Sequence, residues 1–123
     1  MGAIGQKSRS FKDLEVWKQS IQFAKEVYQL TEKFPSYEIY GLTSQIRRAV
    51  VSISSNIAEG QCRNSSKEFR HYLAMALGSL GEAETQLIIA RETNYLNETD
   101  LEHLQAPIID IRKMILSLSR KVV

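Results

Sequence analysis

Few side chains in this sequence could do chemistry by themselves. Two histidines, His71 and His103, and a single cysteine, Cys62, are the candidates for metal ligation or nucleophilic work. No pair of them has i, i+4 or C-x-x-C spacing, and no Glu-x-x-His pairs recur on two segments. Neither a zinc site nor a di-iron bundle site is therefore expected. Cys62 has no histidine close in sequence to serve as its base, which weakens any nucleophile reading. Nucleotide-cradling glycine loops are absent, and Gly78-Ser79-Leu80-Gly81 falls mid-helix, where its amides are already hydrogen-bonded. The arginine-to-histidine spacing of some helical-bundle ribonucleases is also missing, since Arg63 and His71 stand too far apart. No catalytic residue, cofactor, metal or small-molecule substrate is expected.

The arginines offer a different chemistry. Arg47 and Arg48, with Arg63 and Arg70 beyond the next turn, could hold phosphate, because a guanidinium matches it with two parallel hydrogen bonds. Arg48, Ser52, Asn56 and Glu59 also form a polar stripe at i, i+4, i+8 and i+11. The stripe has a structural reading too. Arg48 could pair with Glu59 of its own or a neighbouring subunit, while Asn56 satisfies a helix end or loop carbonyl. Both readings stand at this level.

Four helical segments must position these groups. Leu42, Ile46, Ala49, Val50, Ile53 and Ile57 recur at helical steps between Gly41 and Gly60, with Gly60 expected as the left-handed C-terminal residue. That segment has only three charges, and its remaining face, Val51, Ser54, Ser55 and Ala58, is small and uncharged. Ahead of it, Ser10-Phe11-Lys12-Asp13 has capping-box spacing and opens a helix with the seam Leu14, Trp17, Ile21, Ala24, Tyr28 and Thr31. Pro35 stops that helix.

The third segment starts at a second capping box, Ser65 to Glu68, and has the core seam Phe69, Leu73, Ala76, Leu80, Ala83, Leu87 and Ala90. Opposite lie Ala74, Gly78, Gly81 and Thr85. An interior glycine costs about 1 kcal/mol relative to alanine, so close approach of another helix is expected there, the alternative being glycines that are merely tolerated. After a turn at Asn94–Asn97, Thr99 to Glu102 is expected to cap the fourth helix. Its seam is Leu101, Leu104, Ile108, Ile111, Ile115, Leu118 and Val122, with a kink expected at Pro107. The sum is an all-α, antiparallel up-down four-helix bundle over residues 11–123, preceded by a flexible tail at 1–10. The small outer faces of the second and third helices call for a homo-oligomer.

Composition agrees with a modest role for charge. Sixteen basic residues against fourteen acidic give +2, and the pI near 8.7 is mildly basic. A lone cysteine fits a reducing compartment. With no apolar run in the first ten residues and no bilayer-length segment, a cytoplasmic protein with no membrane partner is expected.

Gln45-Ile46-Arg47-Arg48-Ala49, Ser52-Ile53, Asn56-Ile57-Ala58-Glu59-Gly60 and Arg63 together resemble the 23S rRNA intervening-sequence protein family. Tyr40-Gly41-Leu42, Gly78-Ser79 with Glu82, and Phe11-Lys12-Asp13-Leu14 with Trp17 match as well, so the likeness spans nearly the whole chain. Ser54 departs from the proline of many relatives and should leave the second helix unbroken. The resemblance implies a bacterial four-helix bundle assembled as a ring, typically a homopentamer, with no settled enzymatic activity. It also implies a distant kinship with the accessory protein of diversity-generating retroelements, a barrel that binds nucleic acid and a reverse transcriptase. RNA or DNA is the partner to expect, with Arg47, Arg48 and Arg63 as anion contacts. A five-fold ring would multiply +2 to about +10, enough for weak, salt-sensitive polyanion binding.

Overall fold

The computed structural model describes residues 10–122. The tail expected at 1–10 lies outside the described residues apart from Ser10, as does residue 123. All regular structure among the described residues is helical: α1 (Glu15–Thr31), α2 (Leu42–Cys62), α3 (Ser66–Glu92) and α4 (Glu98–Lys121), with short 3-10 turns at Phe11–Asp13 and Ser36–Glu38. Each helix packs on the next and α4 closes back on α1, while the diagonal pairs stay apart. Short connections between adjacent helices force them antiparallel, so this is an up-down four-helix bundle in one domain. The α2–α3 seam is the most intimate.

The core follows the helical periodicity on three of the four helices. Ile46, Ala49, Val50, Ile53 and Ile57 of α2 are buried against Leu73, Ala76, Leu80, Ala83, Leu87 and Ala90 of α3. Leu101, Leu104, Ile108, Ile111 and Ile115 of α4 complete that wall. Burying each leucine or isoleucine contributes about 1.5–3 kcal/mol. The alanines alternating with leucines on α3 leave room for the bulkier isoleucines of α2. Helix α4 runs through Pro107 as one element, with Leu104 and Ile108 on either side of the ring fully packed.

The expected seam of α1 is displaced. Its buried residues are Val16, Ser20, Phe23, Val27 and Thr31, whereas Ile21 and Tyr28 are exposed. Only Thr31 is common to both sets. The reason is that Ser20, at the middle of the true stripe, reads as polar, while Trp17, Ile21, Ala24 and Tyr28 offer a second stripe at equally regular spacing; Thr31 lies on both. Inside the bundle the Ser20 and Thr31 hydroxyls donate to the Val16 carbonyl at 2.7 Å and the Val27 carbonyl at 2.9 Å, which removes the cost of burying them. Helix α1 therefore carries two apolar stripes, and the second includes Trp17 and Ala24, with Leu14 just ahead of the helix, all three half-buried.

Three termini also differ from expectation. Ser10 Oγ accepts from Lys12 N at 3.1 Å and opens the 3-10 turn, not α1 itself. The N-cap of α4 is Asn97, whose Oδ1 accepts from Asp100 N at 2.8 Å, so the helix starts ahead of Thr99. Gly60 is not the left-handed end of α2. The helix continues to Cys62, and no described glycine has a positive φ. A Cβ at Gly60 would meet Tyr72 Cβ at 2.8 Å and Phe69 Cδ1 at 2.9 Å. Glycine is present because α3 crosses there, a packing reason where a turn was expected. By contrast, the capping box at α3 forms, Ser65 Oγ accepting from Glu68 N at 3.2 Å.

Candidate functional site

The arginines do not converge. Arg47 and Arg63 are separated by sixteen positions along α2, about 24 Å of helix. Arg47 Nε donates to Thr31 Oγ1 at 2.9 Å, its Nη2 reaches the Tyr28 carbonyl at 3.3 Å, and its guanidinium lies 4.7 Å from the Tyr28 ring centre. It thus caps the C-terminal end of α1, where a cation also opposes the helix dipole. Arg63 pairs with Glu59 at 2.9 Å and Glu68 at 3.6 Å, and donates to the Tyr72 hydroxyl at 2.8 Å. Its guanidinium pKa is raised by Tyr72 first and then by the two carboxylates. Arg48 is exposed and has no partner among the described residues.

The polar stripe is tied into the fold at its middle. Asn56 Nδ2 donates to the Ser52 carbonyl at 2.8 Å and to Ser52 Oγ at 3.1 Å, and Ser79 Oγ of α3 donates to the same hydroxyl at 3.0 Å. Ser52 thereby links α2 to α3. Glu59 turns to Arg63, and no bond joins it to Arg48 within the protomer.

The small outer face is mostly where the spacing puts it, with one exception. Val51 and Ser55 are exposed and Ala58 is half-exposed, but Ser54 is 6% exposed and its hydroxyl donates to the Val51 carbonyl at 3.2 Å. Ser54 belongs to the interior because it falls on the flank of α2 that packs toward α1. On α3, Ala74, Gly78 and Thr85 are exposed and Gly81 is half-exposed. A Cβ at Gly78 or Gly81 would meet nothing within 4 Å. Met75, Ile88 and Ile89 are exposed on the same helix.

Sequence reasoning missed a cluster at the entry to α2. Gly41 stands at the N-cap position without a side chain, and Glu38 takes over, its Oε1 accepting from Leu42 N at 3.0 Å. Tyr95 donates to the other carboxylate oxygen at 2.8 Å and its hydroxyl lies 3.4 Å from that of Tyr37. The Leu42 amide, and then Tyr95, hold the Glu38 carboxyl below its ordinary pKa of 4.5. Tyr37 and then Glu38 push the Tyr95 phenol upward. A Cβ on Gly41 would sit 2.6 Å from Glu38 Oε1, so a bare glycine keeps the cap in place. The usable signal was an acid a turn ahead of a glycine that begins an apolar helix. Tyr37 and Tyr40 flank this cap at 77% and 96% exposure.

His71 and His103 are both exposed, as is Cys62. No three His, Cys, Asp or Glu side chains among the described residues are grouped to hold a metal ion. A groove of about 600 Å³ runs along the α1–α4 seam past Glu26, Lys33, Asp100, His103 and Asp110, with polar and apolar walls and wide access to solvent. No helix among the described residues is long and apolar enough to cross a membrane.

These features define a class: a closed antiparallel helical bundle whose arginines and polar stripe are largely engaged in its own packing and whose outer faces are small and apolar. The model of the 23S rRNA-intervening sequence protein family matches residues 12–117, and the chain belongs to that family. It is also similar to a crystal structure of a protein with unknown function from the S23 ribosomal protein family of Bacteroides thetaiotaomicron VPI-5482, at 25% identity and a TM-score of 0.75. That alignment covers 85% of this chain and 97% of the other. No curated protein matches the chain.

Proposed function

We propose that this is a non-enzymatic, cytoplasmic scaffold that assembles into a ring of identical subunits, five by analogy with its family, and contacts nucleic acid, RNA first. The observation that carries the assembly is the set of uncovered faces. Trp17, Ile21 and Tyr28 of α1 and Val51 of α2 lie on one flank, and Ala74, Gly78 and Gly81 of α3 lie on another. Two different flanks suit a head-to-tail contact, which closes into a ring when the rotation allows. Two bare glycines facing outward are costly on a wet surface and useful where another helix backbone approaches.

Support for a nucleic-acid role is the net basic charge, multiplied by assembly. A second reading, a purely protein-interacting oligomer, draws on the engagement of Arg47 and Arg63 inside the protomer. Native mass spectrometry with and without single-stranded RNA at low ionic strength tests the proposal. An assembly that gains the mass of RNA, and loses it as salt rises, is expected. An assembly that never takes up RNA or DNA would leave the second reading standing.

A further inference from the structure

We infer that the polyanion contact lies at one end of the bundle, where the α2–α3 turn meets the start of α1 and the end of α4, and not along α2. This rests on the nucleic-acid reading above and locates the contact within it. The three segments form one end: Arg70 Nη1 donates to the Val122 carbonyl at 2.7 Å, and Leu14 and Val16 line a cleft with Met114 and Leu118. The 3-10 turn Phe11–Asp13 packs on α2.

Charge is distributed unevenly along the bundle. This end holds seven basic residues, Lys12, Lys18, Arg63, Lys67, Arg70, Arg120 and Lys121, against four acidic ones. At the opposite end, where Glu38 and Tyr95 meet, Glu32, Glu92, Glu98, Asp100 and Glu102 join Glu38 to make six acids against four bases, Lys33, Arg47, Arg48 and Arg91. Helix α4 has 24 residues, so the ends lie about 36 Å apart. That exceeds three screening lengths of roughly 8–10 Å at physiological salt, and each end acts on a ligand by itself.

The pairing at the basic end strengthens the point. Arg63 is occupied by Glu59 and Glu68, so two of the four acids are already neutralised. Lys12, Lys18, Lys67, Arg120 and Lys121 are all exposed, with no side-chain partner among the described residues. Tyr37 and Tyr40 would suit base stacking, but they stand at the acidic end, where a phosphate backbone is repelled. The chemistry at the basic end is unpaired ammonium and guanidinium groups at exposed positions. Such a surface reads phosphodiester charge and not base sequence.

Two matched variants of the full chain test this: Lys12→Gln/Lys67→Gln/Lys121→Gln at the basic end, and Lys25→Gln/Lys33→Gln/Lys113→Gln elsewhere. Both remove three positive charges from exposed positions, and circular dichroism checks that both fold. Binding of a labelled oligouridylate is followed by anisotropy across a salt series. The basic-end variant should bind more than tenfold more weakly at low salt, with the log–log salt slope reduced by about 2, since each single-strand phosphate contact contributes roughly 0.7. At about 0.1 M salt, where the screening length is roughly 10 Å, the other variant should stay within about twofold of wild type. Equal losses in both variants, an unaffected basic-end variant, or loss only in Arg48→Gln would overturn the location while leaving RNA binding intact. No binding by the wild type would overturn the nucleic-acid reading and this inference with it.

Discussion

Replacing Gly78 and Gly81 together by alanine distinguishes a wet face of α3 from a covered one. Within the protomer neither new Cβ would touch anything within 4 Å. On a wet surface the exchange would therefore act through helix propensity and the unfolded chain alone, stabilising by about 1 kcal/mol per site and about 2 kcal/mol for the pair. For a chain of 123 residues that is a rise in Tm of roughly 6–10 °C. A covered face behaves oppositely, since each Cβ is forced into a neighbouring helix and overpacking costs about 1–3 kcal/mol. Sedimentation velocity and thermal melts across a hundredfold range of concentration read both effects. A smaller sedimenting species, with no gain in Tm where the wild type is assembled, is the expected result. A variant with unchanged mass and a Tm raised by the full 6–10 °C would refute the reasoning, because the glycines would then be bare surface positions.

Three further substitutions test the fold around the site. Gly60→Ala places a methyl 2.8 Å from Tyr72 Cβ, an atom next to the backbone that cannot swing away. It should destabilise by about 1–2 kcal/mol despite the gain in helix propensity, measurable by urea unfolding. Leu42 N and Tyr95 donate to different oxygens of Glu38, and Glu38→Gln leaves only one of those two acceptors. The Glu38 carboxyl titrates below 4.5 in the folded chain, so its contribution is present at neutral pH and fades as pH falls through the folded value. The Tm difference between wild type and variant should therefore be largest near neutrality and shrink in acid, and a difference independent of pH would contradict the assignment. Arg47→Lys retains charge but cannot reproduce the fork to Thr31 and Tyr28. It should cost about 1 kcal/mol in the same assay, and an unchanged stability would show that the cap contributes nothing.

Most of the architecture was legible because α2, α3 and α4 each bury one unbroken apolar stripe at helical spacing. Helix α1 misled because its true core stripe runs through Ser20, whose hydroxyl is satisfied by the Val16 carbonyl of its own helix. Periodicity sees residue type and cannot see that internal bond. Gly60 misled for a related reason: a glycine near a helix end looks like a terminator, whereas only the crossing of Phe69 and Tyr72 shows it to be a spacer. The arginines were identified as chemically notable, and Glu59 at i, i+4 from Arg63 was a usable local signal, yet Thr31, Tyr28 and Tyr72 come from other helices and leave no pattern around Arg47 and Arg63. The lengthwise separation of charge was hidden for the same reason, since Lys12, Lys67 and Lys121 come to share one end only once the bundle folds. Glu38 and Tyr95 lie 57 positions apart, and no local rule joins them.

Sedimentation equilibrium of the full chain at micromolar concentration addresses the central claim, that the outer faces of α1, α2 and α3 are covered by other copies. A stable integral multiple of 14.0 kDa is the expected result. A monodisperse 14.0 kDa species across the accessible concentration range would contradict it.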